Sequence, residues 1–315
     1  MALEYMQPLL YFLPAIVLGM VFQQFLITEG KAHISAITSL VGGLTSAGLN
    51  YVFIYLMDMG LQGAALATSI GYTLPALVGL LYFMFVRKGN LHLVRPKLDF
   101  RALGRSCING ASEMVTMLAI SITATLLNNI LMRIEGPEAV SAAGIMFAGF
   151  GVFSALFMGY ASGIAPIISY NYGKEDADNL KMVYKNSLRL IGIMAVIAIS
   201  LAWLLTNPLI AIYGVPVDSN IHDIASTGFR ILSIGFLFVG FNMFSSMFFT
   251  ALNNGLISSI LSLFQTFVFV VIAYLTLPEI FGVNGAWAAM PVAEVLGITL
   301  TVFFLKKMRK RYKYA

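Results

Sequence analysis

The chain has 315 residues, of which 59% are hydrophobic and only 10% are charged. Soluble domains usually carry about 25% charged residues, so this composition excludes an ordinary soluble protein. The net charge of +5 does not indicate nucleic-acid binding, because the charges fall in short segments between apolar runs. Those runs are about 20 residues long, the length at which a helix crosses ~30 Å of hydrocarbon. The composition therefore predicts an all-α, polytopic transmembrane helix bundle.

Nine apolar spans follow one another along the chain. Breakers such as Glu29-Gly30, Glu135-Gly136 and Asn207-Pro208 separate several of them. Most connections are short, so neighbouring spans are expected to be antiparallel, and no stretch is long enough for a soluble domain. The spans are predicted at residues 5–27, 34–56, 62–86, 105–132, 139–170, 187–206, 224–251, 256–277 and 284–305.

The basic residues predict the orientation of the chain. All but two of the 19 Lys and Arg residues fall on one side of the nine spans. Arg133 lies in a loop on the other side, and Arg230 lies inside the seventh span. By the positive-inside rule, the basic side is cytoplasmic. We therefore expect a multi-pass protein of the plasma (inner) membrane, with the basic C-terminus in the cytoplasm and the N-terminus outside.

An internal repeat relates the first three spans to the last three. The motif at residues 30–37 parallels that at 255–260, and the motif at 60–65 parallels that at 282–287. In both copies the second motif follows the first by about 30 residues. Both copies also run in the same direction through the membrane, which is the pattern of a parallel repeat.

The repeat predicts two lobes of six spans each. Residues 101–315 would form a complete C-terminal lobe of six helices with a basic cytoplasmic tail. Residues 1–100 would form the second half of the N-terminal lobe, which is three helices and the cytoplasmic loop between the lobes. We therefore expect an incomplete 6+6 arrangement in which the first three of twelve spans are absent.

Short motifs along the chain point to one family. Their order and spacing resemble the multidrug and toxic compound extrusion (MATE) family, and they correspond to spans four to twelve of its twelve. The motifs are FLITEGK at 25–31, LNYVFIY at 49–55, GLQGAALAT at 60–68, NGASEMV at 109–115, APIISYNYG at 165–173, TALNNG at 250–255, GVNGAW at 282–287 and PVAE at 291–294.

The resemblance implies a secondary active multidrug efflux transporter. It implies two six-helix bundles around a central cavity, alternating access, and antiport of small cationic, amphipathic drugs or toxic metabolites against H⁺ or Na⁺, with no cofactor beyond the coupling ion. The expected partners are the lipid bilayer and the drugs, with no nucleic acid and no obligate protein partner. Two positions depart from the family pattern: Asn50 stands where many relatives have an acid, and Gln265 stands where close relatives often carry Arg.

Glu113 is the leading candidate for a substrate- or cation-binding residue. An ionisable side chain at the centre of a membrane helix costs roughly 2.5–3.5 kcal/mol on insertion scales, which favours a position facing a cavity. Asn109, Ser112, Glu113 and Thr116 include pairs separated by three, four and seven residues, so the four residues form one polar helix face. The alternative is a structural Glu hydrogen-bonded to Ser or Asn of another helix.

Four further residues complete the predicted site. Glu294 lies near the middle of the last span, three residues after Pro291, and is either a second cavity-facing acid or a helix-packing contact. Asn50 and Tyr51 can hydrogen-bond a ligand or join neighbouring helices. Asn242 lies in a milder polar strip of the seventh span, which lines either a drug pocket or a packed interface.

No enzyme or ATP-driven pump is predicted. The sequence contains no Walker motif, and its three histidines lie far apart in or beside loops. A related lipid-linked oligosaccharide flippase is an alternative, but an anionic phosphate would favour several Arg or Lys inside the spans. A second alternative is a non-functional fragment of an exporter.

Overall fold

The computed structural model describes residues 2–86, 91 and 99–314, without the side chains of 2–4, 102, 105–106, 108–113 and 115–116. These residues form α-helices and two π-helical turns, and the described part contains no strand, which confirms the all-α prediction. The α-helices are α1 (Ala2–Thr28), α2 (Ala32–Asn50), α3 (Gly60–Phe85), α4 (Phe100–Ile134), α5 (Pro137–Gly173), α6 (Ala177–Leu204), α7 (Thr206–Ile212), α8 (Asn220–Ser233), α9 (Phe236–Ala251), α10 (Gly255–Leu263) and α11 (Phe269–Tyr312); the π-helical turns are Tyr51–Leu56 and Phe264–Val268.

The helices are long and apolar enough to make a polytopic transmembrane bundle, as predicted. Among the described residues, seven continuous helical segments pass this test of length and hydropathy. The pair α8–α9, which is bent by 51°, passes it as one broken span. The seven segments are Tyr5–Thr28, Ala32–Leu56, Gly60–Phe85, Met117–Ile134, Pro137–Gly173, Ala177–Leu204 and Gly255–Tyr312.

The segment from Gly255 to Tyr312 is a hairpin of two antiparallel spans. Its 58 residues would extend roughly 87 Å as a straight helix, far beyond the ~30 Å core of a bilayer. Gln265 Nε2 nevertheless lies 2.8 Å from Thr301 Oγ1, 36 positions later in the chain. The reversal falls at Gly282, whose φ of 59° and ψ of −139° lie outside the helical region. The eighth and ninth predicted spans are the two arms of this hairpin.

The predicted start of the sixth span, at residue 187, was wrong. Helix α6 begins ten residues earlier, at Ala177. The carboxylate of Asp176 caps this end by accepting a hydrogen bond from the Asn179 backbone N–H at 3.1 Å, and this bond lowers the pKa of Asp176. The first turns of α6 are polar, so the hydropathy of the sequence does not reveal them.

The seventh span, predicted over 224–251, is a single span that is broken into two helices. Helix α8 ends at Ser233 and α9 begins at Phe236. At the break, the backbone of Gly235 packs against the last helix, since a Cβ added to it would lie 3.7 Å from Pro291 Cα.

The described residues divide into two compact units, Met1–Leu98 and Asp99–Ala315. In the first unit, α1 and α2 both pack against α3. Helices α2 and α3 are closest at Gly42 and Gly71, where a Cβ added to either residue would lie 2.6 Å from the carbonyl oxygen of the other. Small residues allow membrane helices to approach in this way.

The second unit has a large aromatic core. Its members include Phe157 on α5, Phe236 on α9 and Trp287 on α11, and all three side chains are fully buried. Helices α5 and α9 approach closely at Gly240, where an added Cβ would lie 2.4 Å from the Phe157 ring. This packing of α5, α9 and α11 positions the buried polar residues described next.

Candidate functional site

A buried acid lies in the second unit, on the second arm of the hairpin. Glu294 is 8% exposed. The side-chain amide of Asn242, on α9, donates a hydrogen bond to Glu294 Oε2 at 2.6 Å and also lies 3.0 Å from the Glu294 backbone carbonyl. One amide group thus contacts both the side chain and the main chain of Glu294 and joins α9 to α11.

Two further side chains complete the site. Gln265 Nε2 donates to Asn242 Oδ1 at 3.3 Å and to Thr301 Oγ1 at 2.8 Å. Thr301 Oγ1 in turn donates to Asn242 Oδ1 at 3.0 Å. These four buried residues, Glu294, Asn242, Gln265 and Thr301, are called the Glu294 network. They come from α9, the π-helical turn Phe264–Val268 and α11, so three segments of the chain meet there.

Local backbone features make room for the network. Gln265 lies in a π-helical turn, and such turns inside helices are frequent at functional sites. Gly297 lies one turn after Glu294, and a Cβ there would be 2.7 Å from Asn242 Nδ2 and 3.0 Å from Gln265 Cγ. Any larger residue at this position would displace the amide that contacts Glu294.

The electrostatics of the network are unusual for a buried acid. Within the described part of the chain, no basic side chain forms an ion pair or hydrogen bond with Glu294. A buried ionised carboxylate without a cationic partner costs several kcal/mol. A bound proton or a small cation removes that cost. Carboxylate, amide carbonyl and hydroxyl oxygens are also the ligands that hard cations prefer.

The network differs from a transition-metal centre. Among the residues that the structure describes, no group of three or more His, Cys, Asp and Glu side chains is close enough to hold a metal ion. One carboxylate surrounded by neutral oxygens and amides matches a single positive charge.

The structure brings together two of the predicted site residues, Glu294 and Asn242. It also adds Gln265, which the sequence marked only as a departure from the family pattern, and Thr301, which the sequence analysis missed. Thr301 lies seven residues after Glu294, which is two helical turns and therefore the same helix face. That spacing is the signal that would have identified it.

The predicted polar face around Glu113 lies outside the described side chains. Helix α4 spans Phe100–Ile134 and includes Asn109, Ser112, Glu113 and Thr116. The contacts of these four side chains are not described, so their role stays a prediction.

Asn50 and Tyr51 belong to the first unit, where α2 gives way to the π-helical turn Tyr51–Leu56. The Tyr51 side chain is 60% exposed and stacks on Tyr55, with ring centroids 5.6 Å apart. Asn50 is half-buried. These residues are therefore not part of the Glu294 network.

Two other residues of the polar strip in the seventh span, Ser246 and Thr250, join two helices. Ser246 on α9 hydrogen-bonds the hydroxyls of Ser258 and Ser262, at 3.1 and 2.7 Å, and Thr250 hydrogen-bonds Ser258 at 2.6 Å. These contacts fasten α9 to α10. Asn242 is thus the member of the strip that contacts an ionisable group.

Comparisons with known proteins agree with this architecture. The model of the MatE family matches residues 113–275, just over half of the chain. The chain is 23% identical to the multidrug export protein MepA of Staphylococcus aureus (strain NCTC 8325 / PS 47), over 98% of this chain and 67% of that protein. The fold is similar to an outward-facing multidrug resistance MATE family transporter of the MOP superfamily, with a TM-score of 0.89 and 19% identity over 100% of this chain and 70% of that chain. It is also similar to MATE in complex with MaL6, with a TM-score of 0.90 and 20% identity over 100% of this chain and 71% of that chain.

Proposed function

Because the chain belongs to the MatE family, we propose that it exports cationic, amphipathic drugs in exchange for protons or sodium ions, by alternating access. The name of MepA as a multidrug export protein supports the substrate class. The observation that carries the proposal is the buried Glu294 carboxylate, whose hydrogen-bond donor is a neutral amide. A gradient-driven exporter needs such a group to bind its coupling ion.

The coupling ion neutralises Glu294. A proton adds to the carboxylate directly, whereas a sodium ion would be held by carboxylate, amide carbonyl and hydroxyl oxygens of the network. In either case, the negative charge is compensated and the cost of its burial falls. The empty site is therefore less favourable than the occupied site. The ion gradient then determines the side from which the site is filled.

Ion binding also changes the contact between helices. A hydrogen bond to an ionised group is roughly twice as strong as one between neutral groups. When Glu294 is neutralised, its bond from Asn242 weakens, and with it the attachment of α9 to α11. Occupancy of the site and packing of the helices are therefore linked, as alternating access requires.

The charges inside the spans support a cationic cargo. Glu113 and Glu294 are acids within predicted spans, while Arg105 and Arg189 lie in the first turns of theirs and Arg230 lies in the last turn of α8. A flippase for lipid-linked sugars would need basic groups to bind an anionic phosphate. The balance of charge therefore favours drug export over that related activity.

The basic residues support a plasma-membrane orientation with the C-terminus in the cytoplasm. The residues after the last span include Lys306, Lys307, Arg309, Lys310, Arg311 and Lys313. Such clusters remain on the cytoplasmic side during insertion.

Substitution of Glu294 by Gln tests the ion-binding step. Gln keeps the shape of the side chain but cannot ionise. Purified wild-type protein in detergent is expected to show a melting temperature that rises with added Na⁺ or changes between pH 5 and pH 8, because ion binding stabilises the folded state. The Glu294→Gln protein should lose this response.

Glu279→Gln is the matched control. Glu279 lies on the same hairpin, is exposed and is outside the Glu294 network. This variant should respond to ions as the wild type does. An equal ion response in wild-type and Glu294→Gln protein would contradict the assignment of Glu294 as the ion-binding residue.

A further inference from the structure

A groove in the second unit differs in character from the Glu294 network. This groove of about 500 Å³ lies between α6, α9 and α11, within the 300–1,000 Å³ range of small-molecule sites. Its walls are mainly aliphatic and aromatic, and they include Leu188, Leu237, Phe241, Ile298 and Val302. An apolar groove of this kind on a membrane helix bundle suits a hydrocarbon chain.

One end of the groove is positively charged. Lys306 and Arg309 line it, and none of the lining residues that the structure describes is acidic. The two residues are three apart on α11 and therefore share a helix face. Neighbouring cations point elsewhere: Lys307 lies over the Phe303 ring at 5.5 Å, and Arg311 lies over the Tyr312 ring at 5.5 Å. Lys306 and Arg309 are thus the basic residues of the described tail that line the groove.

Tyr314 of the tail also lines the groove. Tyr314 folds back, and its hydroxyl donates a hydrogen bond to the Leu305 backbone carbonyl at 2.6 Å. Its ring contacts the rings of Tyr184 and Phe248, with centroids 4.9 Å away in both cases. The basic end of the groove is therefore a built structure rather than a loose terminus.

The groove also contains a polar atom without a partner. Ser245 lines the groove and is fully buried, and its hydroxyl has no hydrogen-bond partner within the described part of the chain. Ser245 lies three residues before Phe248, a distance of about 4.5 Å along the axis of α9. Because the Phe248 ring contacts the Tyr314 ring, Ser245 lies about one helical turn away from that contact. Buried hydroxyls are usually paired, and this one lacks an acceptor that a ligand could supply.

We propose that this groove binds an anionic glycerophospholipid of the cytoplasmic leaflet. The phosphate lies between Lys306 and Arg309, an ester carbonyl just below it accepts a hydrogen bond from Ser245, and an acyl chain lies along the apolar walls. Basic pockets next to membrane helices recognise anionic headgroups in this way. The bound lipid holds α6 and the end of α11 together, and the site does not depend on the proposed transport activity.

Native mass spectrometry of the purified 315-residue chain tests the proposal. Phosphatidylglycerol is added to delipidated protein, and phosphatidylcholine with the same acyl chains and inorganic phosphate are added separately. One phosphatidylglycerol per chain is expected to remain bound, with phosphatidylcholine and phosphate bound far more weakly. The double variant Lys306→Gln/Arg309→Gln should bind phosphatidylglycerol about 30-fold more weakly, because two charge contacts are lost.

Two variants distinguish lipid binding in the groove from general attraction to the positive charge of the tail. Lys307→Gln/Lys310→Gln removes the same number of charges outside the groove and should bind as the wild type does. Val302→Trp fills the groove, keeps both cations and should lose the lipid. Equal weakening by the two charge variants, equal binding of the two lipids, full competition by inorganic phosphate, or a protein dimer in place of bound lipid would each overturn the proposal.

Discussion

At the scale of single residues, Asn242 organises the candidate site. Its amide nitrogen donates to Glu294, and its amide oxygen accepts from Gln265 and Thr301. Each polar group therefore depends on Asn242 for at least one bond. A network of this kind is stable only when all its members are satisfied.

Asn242→Ala should therefore destabilise the protein. The substitution leaves Glu294 without its donor and opens a small space in the core, so we expect a loss of roughly 1–3 kcal/mol. Denaturant unfolding in detergent measures the change. Asn171→Ala is the control, since the Asn171 side chain donates to the Ile167 carbonyl of its own helix, at 2.8 Å, and its loss should change stability by less than ~0.5 kcal/mol. Similar losses in both variants would argue against a special role for Asn242.

The sequence predicted Glu294 and Asn242 individually, because ionisable and amide side chains are conspicuous inside apolar spans. It did not predict that they touch. That contact depends on how α9 packs against the hairpin, and the residues are 52 positions apart. Thr301 was missed because an isolated Thr in a membrane helix usually bonds its own backbone, as Thr266 and Thr276 do.

At the scale of elements, the hairpin of the last two spans carries most of the site. Its two arms contribute Gln265, Glu294 and Thr301, and the turn at Gly282 sets which residues face each other. The predicted gap between the spans at 256–277 and 284–305 contains this turn. The bend between α8 and α9 was missed, although Ser233 and Gly235 lie beside it and such residues are common at helix kinks.

Gly282→Ala tests the importance of the turn. A φ of 59° with a ψ of −139° is unfavourable for a residue with a Cβ, so the substitution should cost roughly 1–3 kcal/mol. Denaturant unfolding in detergent measures this loss. If the two arms of the hairpin move relative to each other, the change in melting temperature with Na⁺ or pH should also be smaller than in the wild type. In Gly159→Ala the added Cβ meets nothing within 4 Å in α5, so this variant should be neutral or slightly stabilised. A neutral Gly282→Ala would show that the turn tolerates another backbone conformation.

At the scale of the whole molecule, hydropathy and basic residues predicted the class of protein. Apolar runs predicted a helical membrane bundle, and the order of short motifs indicated the family that the MatE match then showed. Substrate, coupling ion and orientation depend on charges in specific places, and they remain proposals. The buried Glu294 network gives them a physical basis, because it can bind one positive charge and change a helix contact when it does so.

Flux through proteoliposomes tests this account most directly. Wild-type chain is reconstituted with ethidium outside and a proton or sodium gradient across the membrane, and dye movement is followed by fluorescence. We predict dye accumulation against its gradient in wild-type and Glu279→Gln vesicles, and loss of gradient-driven movement in Glu294→Gln vesicles. Equal gradient-driven movement with Glu294→Gln, or no movement in wild-type vesicles, would contradict the claim that ion binding at Glu294 drives export.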